Sequence, residues 1–331
     1  MTFRGAVRSF AAATRRIERD QQRRTREAAR HYKQLQKHQE SANAAEAVVQ
    51  YEEYLSVIKS IHQDCSDPID WQRMWDEVAP TRPSRNNVHE MAASATLEGY
   101  RPSLMDKLLK READRVEQLR QEVEKAKTLD QQERAAQLDH YQHQLNEWRE
   151  RQELAKACLA KDPVAYQQVL EDFNPFEGVS TLGSQLGFRF LANVVEVDLH
   201  VNSPDVIPDF ILTSTATGKL SRKGMPVSKF NEVYQDYVCG CLLRIGREIM
   251  AHLPVDQVVV NALASMLNPA TGLIEEQVIV SVAMPRATLS RLIFTTLDPS
   301  NSMRNFNHTM KFVKTTGFQP VSRISMVSGR S

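Results

Sequence analysis

Residues 256–285 read DQVVVNALASMLNPATGLIEEQVIVSVAMP. Two runs rich in β-branched residues flank Asn268-Pro269-Ala270-Thr271-Gly272, whose residue types favour a turn. The pattern predicts two strands, DQVVVNALAS and EEQVIVSVAMP, separated by that turn. The same texture extends to either side. GFRFLANVVEVDLHV predicts one or two strands, and VIPDFILTST another. Residues 228–253 predict a helix stopped by Pro254, and residues 299–314 a helix with Pro299 at its first position and Gly317 just past its end. Strands, helix, strands and helix within 161–331 make an α/β domain with a mixed sheet the most economical arrangement.

Within the helix at 228–253, Cys239-Gly240-Cys241 invites a metal or redox reading. Two residues on a helix are rotated by about 200°, so the two thiols point nearly opposite ways and cannot share a metal or form a disulfide. They are expected as small core residues, with Gly240 and Gly246 allowing close approach and Asp236, Arg244, Arg247 and Glu248 left on a narrow polar stripe.

The first 160 residues have another character, with Gly5 and Gly99 as their only glycines. They predict a long basic helix over about 5–62, an ordered Trp- and Pro-containing elbow over 63–102, and a second long helix over 103–160 with Ser103 as its N-cap. The seam of the second runs Leu109, Val116, Leu119, Val123 and resumes at Leu138, Tyr141, Leu145 and Trp148, with a phase break near Asp130. Spacings of three and four are those of a coiled coil. The expected fold is therefore an N-terminal long-helix coiled coil followed by a C-terminal α/β domain. A helix with so narrow an apolar stripe must bury it on something, either the other arm or a second chain.

Charge is unevenly distributed. Residues 1–40 hold 11 Lys/Arg against four Asp/Glu, although the whole chain has a net charge of only +1. A basic arm on a neutral body fits an acidic partner, DNA or RNA, and Arg15, Arg16, Arg19, Arg23 and Arg24 are its expected contacts. Four unevenly spaced cysteines form no disulfide framework and suggest free thiols in the cytoplasm. No apolar run approaches the roughly 20 residues a membrane-spanning helix needs, so integral membrane association is not expected.

Few motifs carry chemistry. Thr215–Ser221 contains Gly218-Lys219, but a phosphate loop needs glycine where Thr213 stands and a hydroxyl where Leu220 stands. In VVEVDLHV, residues 194–201, alternation puts Val195, Val197, Leu199 and Val201 on one strand face and Glu196, Asp198 and His200 on the other. Such a triplet can begin a divalent-metal site. Asp209 is expected on the next strand, followed by Lys219 and Lys223. This stretch resembles the restriction-endonuclease-like fold, in which acidic residues on adjacent strands hold Mg²⁺ and a lysine helps to activate water. It departs from that pattern at one point, since no acidic-x-Lys triplet follows Pro208-Asp209. On the helix expected at 299–314, Asn301, Arg304, Asn305, His308 and Lys311 would share one polar face suited to nucleic acid.

Two readings follow. The first is a binding and assembly protein that forms a homo-oligomer or docks a partner protein through its coiled coil and contacts nucleic acid through the basic arm, with no cofactor. The alternative is a nuclease or phosphodiesterase using Mg²⁺ or Mn²⁺ at Glu196, Asp198 and His200, with Asp209 and Lys219 or Lys223 completing the site.

Overall fold

The computed structural model describes residues 44–102, 111–176, 185–191, 193–215, 220–268 and 270–324. The five arginines of the basic arm, Ser103, Leu109 and Lys219 lie outside the described residues. The chain divides into two compact units, the described residues of one lying within 73–153 and those of the other within 44–72 and 154–324.

The larger unit is built on a six-stranded sheet of order β1-β2-β5-β6-β7-β8. Its strands are β1 (Gln185–Leu191), β2 (Val194–His200), β5 (Gln257–Leu267), β6 (Ile274–Pro285), β7 (Asn307–Val313) and β8 (Gly317–Gln319). The β2–β5 pair is parallel and all other neighbours are antiparallel, so the expected mixed sheet is present. A parallel pair needs a crossover connection. Here it comprises the separate hairpin β3 (Phe210–Ser214) and β4 (Leu220–Gly224), followed by helix α6 (Val227–His252). The two strands expected over 256–285 pair across their turn, where Gly272 takes φ +72.

Alternation fixes the sheet's core face. Val195, Val197 and Leu199 of β2, Val258 and Val260 of β5, and Val280 and Val282 of β6 are all buried and lie in register. The sequence of α6 is apolar nearly all round, as in a helix covered on several sides. Cys239 and Cys241 are both buried on it, and burial raises the Cys241 thiol to about 12, so neither cysteine is poised as a thiolate. A side chain at Gly240 would collide with Ile61, and one at Gly246 with Met284, so both glycines permit the close approach expected of them.

Helix α1 (Ala44–Ser60) belongs to this unit. Tyr51, Tyr54 and Ile58 recur at helical spacing and are all buried. The hydroxyls of Tyr51 and Tyr54 donate to the carbonyls of Phe210 and Val206, fastening α1 to the β3 strand and the turn before it. Helix α2 (Trp71–Trp75) opens with a tryptophan whose indole N–H donates to the His252 carbonyl at the end of α6.

One expected helix is not formed as such. Residues 299–314 become the single turn α8 (Pro299–Ser302), a 3-10 turn at Met303–Asn305, and strand β7. Asp298 caps the start as proline at the first position suggests, but pairing with β6 then takes over. The stretch 303–313 satisfies both periods: Met303, Phe306, Met310 and Val313 fit a helix, and His308, Met310 and Phe312 alternate as in a strand. Tertiary pairing decides between them. The polar face drawn through Asn301, Arg304, Asn305, His308 and Lys311 is therefore not a helix face. His308 and Lys311, three apart on β7, fall on opposite sides of the sheet.

In the other unit, helix α3 (Val88–Glu98) lies in the elbow, and the long helix α4 (Glu112–Leu159) crosses into the larger unit at Leu154. Along α4 Leu119 is buried, and Val116, Val123, Leu138, Tyr141, Leu145 and Trp148 are half-buried while most residues between them are exposed. The phase break has a physical cause. Asp130 accepts the backbone N–H groups of His89 and Glu90 at 3.2 and 2.8 Å, so this carboxylate caps the first turn of α3. Nearer its C-terminal end, α4 sends Trp148 and Arg151 to Glu77 and Gln152 to the Met74 carbonyl.

Candidate functional site

The acidic face of β2 is where the sequence concentrates its chemistry. The strand puts Glu196 and Asp198 on the side opposite the apolar core, as alternation requires. That side is not simply wet. Glu196 is only 7% exposed, and between the two carboxylates lies Asn261 of β5, fully buried. Parallel pairing sets Asn261 beside Asp198, and its Nδ2 donates to Glu196 Oε1 and to Asp198 Oδ1, both at 2.9 Å. Its Oδ1 accepts from Ser281 Oγ of β6 at 2.6 Å.

Two guanidinium groups complete the cluster. Arg189 lies opposite Glu196 on β1 and donates to its Oε2 at 2.6 Å. Arg323 comes from the C-terminal segment and grips Asp198 with both Nη atoms, at 2.7 and 2.9 Å. The segment is held along the sheet: Val321 N–H donates to Val278, Thr309 Oγ1 to the Ser322 carbonyl, and Ile324 N–H to Ser281 Oγ. A bidentate charge-assisted pair is among the stronger polar contacts.

Burial alone would raise the Asp198 carboxyl, but hydrogen bonds from Arg323 and Asn261 and the charges of Arg323 and Arg189 outweigh it, leaving its pKa below the ordinary value. Since that pKa is depressed in the folded protein, the stabilisation is present above the unfolded carboxylate value and is lost as pH falls through the folded one. Arg323 is shifted upward by the same hydrogen bond to Asp198.

Among the described residues, the other expected members do not join this cluster. His200 shares the strand face but its Nδ1 meets Glu276 at 2.6 Å. Asp209 precedes β3, which is not the neighbour of β2; it sits 3.8 Å from Arg222 in the separate two-stranded sheet. Lys223 lies on β4 of that hairpin, opposite Ile211. The expectation that Asp209 occupies the strand next to β2 is thus corrected: β1 and β5 take those places, because the crossover carries β3 and β4 out of the main sheet.

A divalent ion at Glu196 and Asp198 would have to displace two guanidinium groups and an amide from the same oxygens. Among the described residues, His89, Asp130 and Glu133 are grouped closely enough to ligate an ion. Both Asp130 oxygens there cap a helix N-terminus, whose positive end disfavours a cation. No helix among the described residues is long and apolar enough to cross a membrane.

Asn261, Ser281, Arg189 and Arg323 were not singled out by the sequence pattern. The signal for the first two is a single polar residue interrupting each apolar run, VVVNALA and VIVSVAM. Alternation counted from GFRFL places Arg189 level with an acidic neighbour only once the β1–β2 register is known. Arg323 has no local signal. Comparison of the chain with protein-family models, with curated proteins and with solved structures finds no match.

Proposed function

We propose that this chain is a non-catalytic binding and assembly protein. Helix α4 mediates oligomerisation or partner docking as one strand of a coiled coil, and the basic arm contacts nucleic acid through Arg15, Arg16, Arg19, Arg23 and Arg24. The observation that carries the non-catalytic reading is the use made of the acidic pair. Glu196 and Asp198 are already bonded to Arg189, Arg323 and Asn261, as parts of a sheet-stabilising network are. A metal-dependent phosphodiesterase would need Asp209 and a lysine at that pair, whereas Asp209 immediately precedes, and Lys223 lies in, a different sheet.

Supporting the nucleic-acid partner is the charge of residues 1–40, 11 Lys/Arg against four Asp/Glu. Each lysine or arginine that neutralises a phosphate releases counterions, so binding weakens linearly on a log–log salt plot. Replacing all five arginines by glutamine in the full chain should make that slope shallower by about 4.5 for duplex DNA. Fluorescence anisotropy over a salt series, with DNA and RNA probes, measures it. An unchanged slope and affinity would end the proposed role of the arm.

A further inference from the structure

Among the described residues two histidines are buried, and they are provided for differently. His252 ends α6, and its Nδ1 meets the Glu248 carbonyl at 2.8 Å with the Glu248 carboxylate 3.7 Å away. Its ring therefore has a hydrogen-bond partner when neutral and a counter-charge when protonated. His62 is 1% exposed, yet neither of its ring nitrogens has a hydrogen-bond partner. A buried polar side chain left unbonded is costly and calls for a reason.

His62 lies just past α1, on the backbone of α6. A Cβ at Gly240 would come within 2.8 Å of Ile61 and 3.8 Å of His62 Nδ1. Four ionisable groups of α6 face residues 59–66. Arg247 is the one nearest the ring, and its Nη1 donates to the His62 carbonyl. Glu248 is taken by the Ser66 N–H and Arg244, Asp64 of the segment itself lies 4.0 Å from Arg244, and Asp236 is bonded to Ser300 and faces Lys59. Residues 294–297, whose Phe294 and Leu297 carbonyls lie toward the ring, carry no ionisable side chain, and Asp298 beyond them caps α8. The nearest charge to the imidazole is thus positive, and each carboxylate around it is engaged elsewhere.

We propose that His62 is an acid-sensitive latch: residues 61–66 dock on α6 while its ring is neutral, and uptake of a solvent proton by the ring releases them. The opening is confined by anchors on both sides. Before the segment, Tyr51 and Tyr54 tie α1 to Phe210 and Val206; after it, the Ile69 N–H and the Trp71 indole donate to the carbonyls of Ala251 and His252. Burial first, and the Arg247 charge second, hold the docked ring below the ordinary value of 6.5, outweighing the carbonyls of Phe294, Leu297 and Lys59. The docked state therefore binds fewer protons than the open one. Docking is at full strength above 6.5 and weakens as pH falls from there through the docked value.

The latch is independent of the nucleic-acid and coiled-coil readings, and either can fail without the other. Amide hydrogen exchange of the full chain, expressed as protection factors at pH 7.5 and pH 5.0, tests it together with an NMR titration of the His62 ring. Protection over residues 61–66 should fall about fivefold at the lower pH, while that over residues 47–54 and β5 stays constant. In His62→Gln, whose side chain is uncharged at both values, the fall should shrink to less than about twofold. The ring itself should titrate below 6.5. Equal protection at the two pH values would overturn the proposal, as would a fall that persists in His62→Gln. A ring that titrates at or above 6.5 in the parent would overturn it even if the variant does not fold.

Discussion

Replacing Asn261 with leucine is expected to lower the unfolding free energy by about 2–3 kcal/mol, the range for losing hydrogen bonds to charged groups and leaving a buried hydroxyl without its acceptor. Leucine has the branching and heavy-atom count of asparagine with bulkier terminal groups, so no cavity is left. The amide is fully buried and joins three side chains, Glu196, Asp198 and Ser281. Without it, Glu196 keeps Arg189 at 2.6 Å and a longer contact to Arg323 at 3.4 Å, while Ser281 loses its acceptor. Urea denaturation followed by circular dichroism at pH 7 measures the change. A loss under 1 kcal/mol would mean that the carboxylates do not depend on the amide, and the cluster would lose its standing as a structural network.

The second large effect is expected at Glu248. The polar stripe of α6 is not a solvated face: Glu248 is 0% exposed. Its carboxylate accepts the Ser66 N–H with both oxygens, at 3.2 and 3.3 Å, and Arg244 Nη2 at 2.7 Å. The adjacent Arg247 donates to the carbonyls of His62 and Gln63 and lies over the Phe294 ring. The stripe is therefore the surface on which residues 62–66 dock. Glu248→Ala leaves Arg244 without its main partner and removes the anchor of Ser66, for an expected loss of about 3 kcal/mol. Hydrogen exchange should rise over residues 61–69 before it rises in β5. Glu248→Gln keeps one acceptor for the Ser66 N–H and should lose about half as much. Unchanged exchange over 61–69 would show that the segment is held by something other than this carboxylate.

These two sites mark where the sequence was legible and where it was not. The strands on either side of Gly272 and the helix over 228–253 are visible because one period fits each and the other does not. The thiols of Cys239 and Cys241 are correctly excluded from shared chemistry by helix rotation alone. Residues 307–313 fit two periods, and only the β6 partner, far away in sequence, decides between them. Glu248 looks solvated because charge normally is, and its burial depends on a segment 182 residues earlier. Glu196 and Asp198 are visible as a pair, but their partner Arg323 lies 125 residues beyond Asp198 and leaves no local mark. Asp130 is the opposite case. Its break in the apolar repeat can be read directly, and the reason for it is the backbone of α3.

On this proposal the acidic pair serves the fold and the chain binds nucleic acid without cleaving it. Incubating the full chain with labelled single-stranded and duplex DNA and RNA, in Mg²⁺ and in Mn²⁺, tests it most directly. No cleavage above that of an Asp198→Asn variant is predicted, in conditions where salt-dependent binding is measured. Cleavage that requires either metal, and that disappears in Asp198→Asn while its circular dichroism spectrum stays native, would contradict it.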